Sequence, residues 1–63
     1  MVNYENWERY IRDLEKIETL IEDMLVAHEE VMSDRVYHAL DNALLAVQAE
    51  LEVAKENKDN SLD

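Results

Sequence analysis

The 63-residue chain contains no cysteine, glycine, proline or phenylalanine. Without cysteine it can form no disulfide and can hold no metal through thiolates. The lack of glycine and proline excludes turn-rich β folds and glycine-rich phosphate loops. No apolar run approaches the roughly 18 residues of a membrane-spanning helix, and the first residues, MVNYE, are acidic, unlike a signal peptide. We therefore expect a cytoplasmic, all-α protein that does not enter a membrane.

Basic residues are scarce. Six Lys and Arg stand against 16 Asp and Glu, which gives a formal net charge of -10. Arg35 is the only Lys or Arg between Lys16 and Lys55, so the middle of the chain is strongly acidic. A negative field repels phosphate groups, and we expect no direct binding to nucleic acid.

Apolar residues recur at spacings of three and four in two segments, the pattern of two amphipathic helices. The first predicted helix, about 4–31, has a heptad seam with a flank formed by Tyr4, Ile11, Leu25 and Met32. The seam residues are Trp7, Tyr10, Leu14, Ile17, Ile21, Met24, His28 and Val31. The second predicted helix, about 36–56, has the seam Tyr37, Leu40, Leu44, Val47, Leu51 and Ala54.

A change of heptad phase between Val31 and Tyr37 argues against one continuous helix. Ser33 and Asp34 lie at this discontinuity, and both are favourable N-cap residues. We predict a turn at about 32–35 and an antiparallel two-helix hairpin that forms a single domain over 1–57. Residues 58–63, of which only Leu62 is apolar, are predicted to be a disordered tail.

The second predicted helix has a further apolar face. Ala39, Ala43 and Ala46 lie at i, i+4 and i+7. A hairpin this small cannot cover two apolar faces by itself. We predict that it dimerises into a four-helix bundle, with an interface formed by Val36, Ala39, Ala43, Leu45, Ala46 and Val53.

The first predicted helix carries an acidic ridge, with Glu8, Glu15, Glu22 and Glu29 at every seventh position. Val26 is apolar where a solvated helix normally has a polar residue. We predict a partner-binding surface made of Glu15, Glu22, Asp23, Val26, Glu29 and Glu30.

These features favour a small acidic interaction protein that binds and modulates a host or cellular protein, as an inhibitor of the kind that phages or mobile elements encode. Two alternatives stay open. The first is that the chain is a structural subunit of a larger helical assembly. The second is that it is a nucleic-acid mimic that occupies a basic groove of another protein.

No catalytic, cofactor or metal site is predicted. Asp34, His38 and Asp41 have a ligand-compatible spacing, but polar residues near the start of a helix often share it by chance. Neither His28 nor His38 follows a Glu by three residues, as the ligands of carboxylate-bridged di-iron bundles do. No Ser or His is arranged for nucleophilic catalysis. We expect no cofactor and no enzymatic activity.

Overall fold

The computed structural model describes residues 4–60 and consists of two helices. Helix α1 spans Tyr4–Ala27 and helix α2 spans Asp34–Asn60. The helices pack against each other as an antiparallel hairpin with extents of 48 × 15 × 15 Å. The predicted all-α hairpin is confirmed.

Helix α1 ends at Ala27, earlier than the predicted position near 31. Beyond it, the backbone N–H groups of Val31 and Met32 both donate to the carbonyl of His28, at 3.1 and 2.9 Å, and form a separate turn. The last turn of α1 holds no base and the next residues include Glu29 and Glu30. Acidic side chains are unfavourable in the last turn of a helix, so Glu29 and Glu30 do not favour extension of α1 beyond Ala27.

Ser33 caps the start of α2. Its hydroxyl oxygen accepts a hydrogen bond from the backbone N–H of Val36 at 3.3 Å, and its carbonyl accepts one from Tyr37 at 2.9 Å. These are the bonds of an N-cap residue, which satisfy backbone donors that lack a partner within the helix. The cap predicted from sequence is confirmed at Ser33, and α2 begins at Asp34 rather than near 36.

The buried core is small and lies mainly toward the open end of the hairpin. Trp7 and Val47 are partly buried against it. The buried residues are Ile11, Leu14, Ile21, Leu51 and Ala54. Removing apolar surface from water is the main stabilising term in such a hairpin.

The buried side of α1 is rotated from the predicted seam. Leu14 and Ile21 are buried as predicted, and so is Ile11, which was placed on the flank. Tyr10, Ile17 and Met24 belong to the predicted seam but are exposed. A single opposing helix covers only one side of the Leu14–Ile21 line, and it covers the side of Ile11.

Packing is thinner toward the turn. Leu25, Leu40 and Leu44 are half-buried, whereas the predicted seam residues His28 and Val31 are exposed. Because α1 has ended at Ala27, these two residues are held in the turn, where α2 does not cover them.

Helix α2 continues through residues 58–60, which were predicted to belong to the disordered tail. The Lys58 ammonium lies 3.6 Å from a Glu8 carboxylate oxygen and links the end of α2 to the start of α1. Such a partly exposed pair contributes at most about 1 kcal/mol. Residues 61–63, the rest of the predicted tail, lie outside the described residues.

Candidate interaction surfaces

One side of the hairpin is marked by a bond between the helices. The Tyr10 hydroxyl donates a hydrogen bond to a Glu50 carboxylate oxygen at 2.5 Å, so both residues lie on the same side. Residues related to these two by helical periodicity share that side. We call this side the apolar face, and define it by Ile17, Leu20, Met24, Val36, Ala39, Ala43, Ala46 and Val53.

The apolar face exposes large side chains from α1 beside small ones from α2. Ile17 is 44% exposed and Leu20 is 64% exposed. Ala39 and Ala46 are also exposed, while Ala43 is half-buried. Contiguous exposed apolar surface of this kind marks an interaction site more often than scattered apolar residues do.

Five of the six predicted dimer-interface residues lie on the apolar face. The exception is Leu45, which is 59% exposed. Leu45 follows Ala43 by two positions and therefore points about 200° away around the helix. It lies on the outer side of α2.

The contribution of α1 to the apolar face was missed from sequence. Ile17 and Met24 were assigned to the core, and Leu20 was assigned to no surface. Leu20 follows Ile17 by three positions and precedes Met24 by four, so the three form one strip. This spacing was the sequence feature that could have predicted the contribution of α1 to the apolar face.

The hydrogen bond to Glu50 raises the pKa of the Tyr10 phenol above its ordinary value of 10.0, and desolvation of the phenol and repulsion by the Glu50 charge raise it further. The phenol therefore stays protonated near neutral pH and acts as the donor. Asp13 lies beside Tyr10 on α1, so the open end of the apolar face has an acidic border.

The predicted partner-binding residues lie mainly on the other side of α1 and in the turn. Val26, Glu29 and Glu30 come together in the lining of one surface depression of about 450 Å³, beside His28 and Val31. Val26 and Val31 are each 82% exposed. We call this region the acidic turn end, and define it by Glu22, Asp23, Val26, Glu29, Glu30 and Val31.

Glu15 does not lie with the other predicted partner-binding residues. It is about 16 Å from Val26 along the helix axis, and lines surface depressions with Lys16, Leu20 and Lys58. The structure therefore groups five of the six residues predicted to bind a partner near the turn, and leaves Glu15 toward the open end.

Metal-ligand geometry is not found within residues 4–60, where no three His, Cys, Asp or Glu side chains are grouped so as to hold an ion. The His38 ring instead makes an edge contact with Tyr37, at a centroid distance of 5.9 Å. Neither α1 nor α2, over the same residues, has a segment apolar and long enough to cross a membrane.

Comparisons with protein-family models, with curated proteins and with solved structures find no match for this chain.

Proposed function

We propose that the chain is a non-enzymatic interaction protein, which forms a homodimeric four-helix bundle and inhibits another protein by binding a basic surface on it. The apolar face joins the two copies, and the acidic turn end contacts the target protein.

The amount of exposed surface supports the dimer. The chain exposes 5082 Å², whereas a folded monomer of 7.4 kDa is expected to expose about 4200 Å². The excess of about 900 Å² is close to the ~800 Å² that each partner buries in a standard protein interface. A second copy seated on the apolar face would cover part of this exposed surface.

The composition of the acidic turn end carries the proposal of a basic target. Val26 and Val31, each 82% exposed, stand among acidic side chains. Glu29 and Glu30 line the same depression as these valines. Apolar anchors surrounded by charge are typical of binding surfaces, where burial supplies affinity and the charges select and steer the partner.

A cross-linking experiment tests the target site. A photo-reactive amino acid replaces Val31, and the protein is expressed in its source cell and irradiated. The captured protein is identified by mass spectrometry, and its purified form is then bound to the hairpin in vitro. We expect Glu29→Lys/Glu30→Lys to abolish binding.

The matched control is Glu56→Lys/Asp59→Lys, which changes the net charge equally but at the open end, where both residues are exposed. Binding should survive in this variant. Equal loss in both variants would indicate non-specific charge attraction, and retention in both would mean that the acidic turn end is only a solvated surface.

Sedimentation of the purified chain distinguishes the proposed dimer from the alternative that the chain is a structural subunit of a larger assembly. A discrete dimer supports the proposal, whereas open-ended association or a monomer that is stable only with another chain supports the alternative. The nucleic-acid-mimic alternative requires that duplex DNA or RNA displace the hairpin from the captured target.

A further inference from the structure

The register between the helices follows from two contacts. Tyr10 bonds to Glu50, and Glu8 pairs with Lys58. The two contacts imply slightly different registers, because long side chains reach along the helix axis. At the mean of the two registers, Leu20 lies level with Ala43, and Asp13 lies level with Glu50.

Charge is distributed unequally along the apolar face. Glu50 and Asp13 lie at the open end, about 10 Å along the axis from the level of Leu20 and Ala43. Arg35 lies a whole number of helical turns before Val53, on the same edge of α2, and about 12 Å from Ala43 toward the turn. On the two helices, the acids Asp13 and Glu50 therefore border the open end of the apolar face, and Arg35 borders the end nearer the turn.

A two-fold dimer through this face has two possible orientations. With the turn ends together, α1 packs on α2 of the partner subunit, and Asp13 meets Glu50 of the partner subunit twice in each dimer. With the turn ends opposed, α2 packs on α2 of the partner subunit, and Arg35 meets Glu50 of the partner subunit.

We infer that two copies of this chain dock through the apolar face with their turn ends opposed, so that Arg35 of each copy pairs with Glu50 of the partner subunit. This inference rests on the proposed dimer and specifies its geometry. Repulsion between Asp13 and Glu50 of the partner subunit disfavours the orientation with the turn ends together. The opposed orientation replaces both repulsions with attractions between Arg35 and Glu50 of the partner subunit.

Side-chain size is compatible with this arrangement. The alanines of the two α2 helices meet at the two-fold axis, where small residues allow axes about 8 Å apart. The larger side chains Ile17, Leu20 and Met24 meet across the wider α1 pair, at separations toward about 10 Å. Neighbouring helices are antiparallel throughout the resulting bundle.

Disulfide cross-linking measures the orientation directly, because the natural chain has no cysteine. Ala43→Cys places two thiols at the two-fold axis of the opposed dimer, within reach of a disulfide. Under oxidation we expect a covalent dimer from this single variant. Gln48→Cys, on a different side of α2, is the matched control and should stay uncoupled.

In the other orientation, Ala43→Cys would not couple with itself. An equimolar mixture of Leu20→Cys and Ala43→Cys chains would instead give a mixed covalent dimer. That result would overturn the inferred geometry while leaving the proposed dimer intact.

A charge reversal supplies an independent readout. Glu50→Arg should weaken the opposed dimer by about two- to tenfold, because it meets Arg35 of the partner subunit. The same change would strengthen a dimer with its turn ends together, where the new Arg would meet Asp13 of the partner subunit. The double variant Arg35→Glu/Glu50→Arg should restore the natural affinity, and Glu50→Gln controls for the lost bond to Tyr10.

Sedimentation equilibrium of the natural chain distinguishes failure of the proposed dimer from failure of its inferred geometry alone. A monomer at every concentration up to the millimolar range would overturn the proposed dimer. A dimer that Ala43→Cys cannot link, alone or mixed with Leu20→Cys, would overturn only the inferred face and orientation.

Discussion

The hydroxyl of Tyr10 on α1 and the carboxylate of Glu50 on α2 are joined by a hydrogen bond of 2.5 Å. This contact connects residues far apart in the sequence and places the Tyr10 edge of α1 beside the alanine-rich edge of α2. The apolar face is the surface that extends from this bond toward the turn.

The pKa of Tyr10 is expected to respond to Glu50. Because the bond raises the folded-state pKa above 10.0, its stabilising effect is present below about pH 10 and is lost as the pH rises through the folded-state value. The difference in ultraviolet absorbance between natural chain and Tyr10→Phe isolates this titration. Glu50→Gln should lower the pKa, and an unchanged midpoint would contradict the assignment.

Truncation of the core should cost far more than truncation of the outer side of α2. Leu51→Ala removes a buried side chain and should lower the free energy of unfolding by about 2–5 kcal/mol. Leu45→Ala should change it by about 0.5 kcal/mol or less. Urea denaturation at matched protein concentration measures both, and similar losses would show that Leu45 is covered in the assembled protein.

A charge on the apolar face should separate the two copies without unfolding the hairpin. Ala46 is exposed in the single chain, so Ala46→Glu is tolerated there but would bury an unpaired carboxylate in the dimer. We expect sedimentation to show a monomer with retained helicity. Gln48→Glu adds the same charge on a different side of α2 and should leave the mass unchanged.

The cap of α2 should be measurable by itself. Ser33→Ala removes the acceptor of the Val36 N–H group and should cost about 0.5–2 kcal/mol of stability. Ser33→Asp keeps an acceptor and should recover most of this loss. A Ser33→Ala protein as stable as the natural chain would show that solvent caps the helix equally well.

Substitution of Val26 distinguishes apolar anchoring from attraction by charge alone. Val26→Asp removes an apolar side chain and adds an acid, so it should weaken binding to the captured target if the valine is buried there. If charge alone holds the target, the same variant should bind more tightly. Val26→Thr, with nearly the same shape, controls for packing, and titration calorimetry at two salt concentrations measures all three proteins.

Local features of the sequence were sufficient to predict that there are two helices, the cap of the second and the charge distribution, but not the residues at which the helices end. The spacing of Leu14 and Ile21, the N-cap chemistry of Ser33 and the absence of Lys and Arg between Lys16 and Arg35 each depend on residues close together in the chain. Interactions of this range act before any tertiary contact forms, so a pattern of residues is enough to predict them.

The tertiary structure alone decided which flank of α1 is buried and where the exposed apolar residues meet. Apolar residues border the Leu14–Ile21 line on both sides, and sequence spacing favoured Tyr10 and Ile17 over Ile11. The rotation of a helix about its axis depends on the surface that its neighbour can cover, which is a non-local property. Only with α2 in place does Ile11 become buried and do Ile17, Leu20 and Met24 join the alanines of α2 in one face.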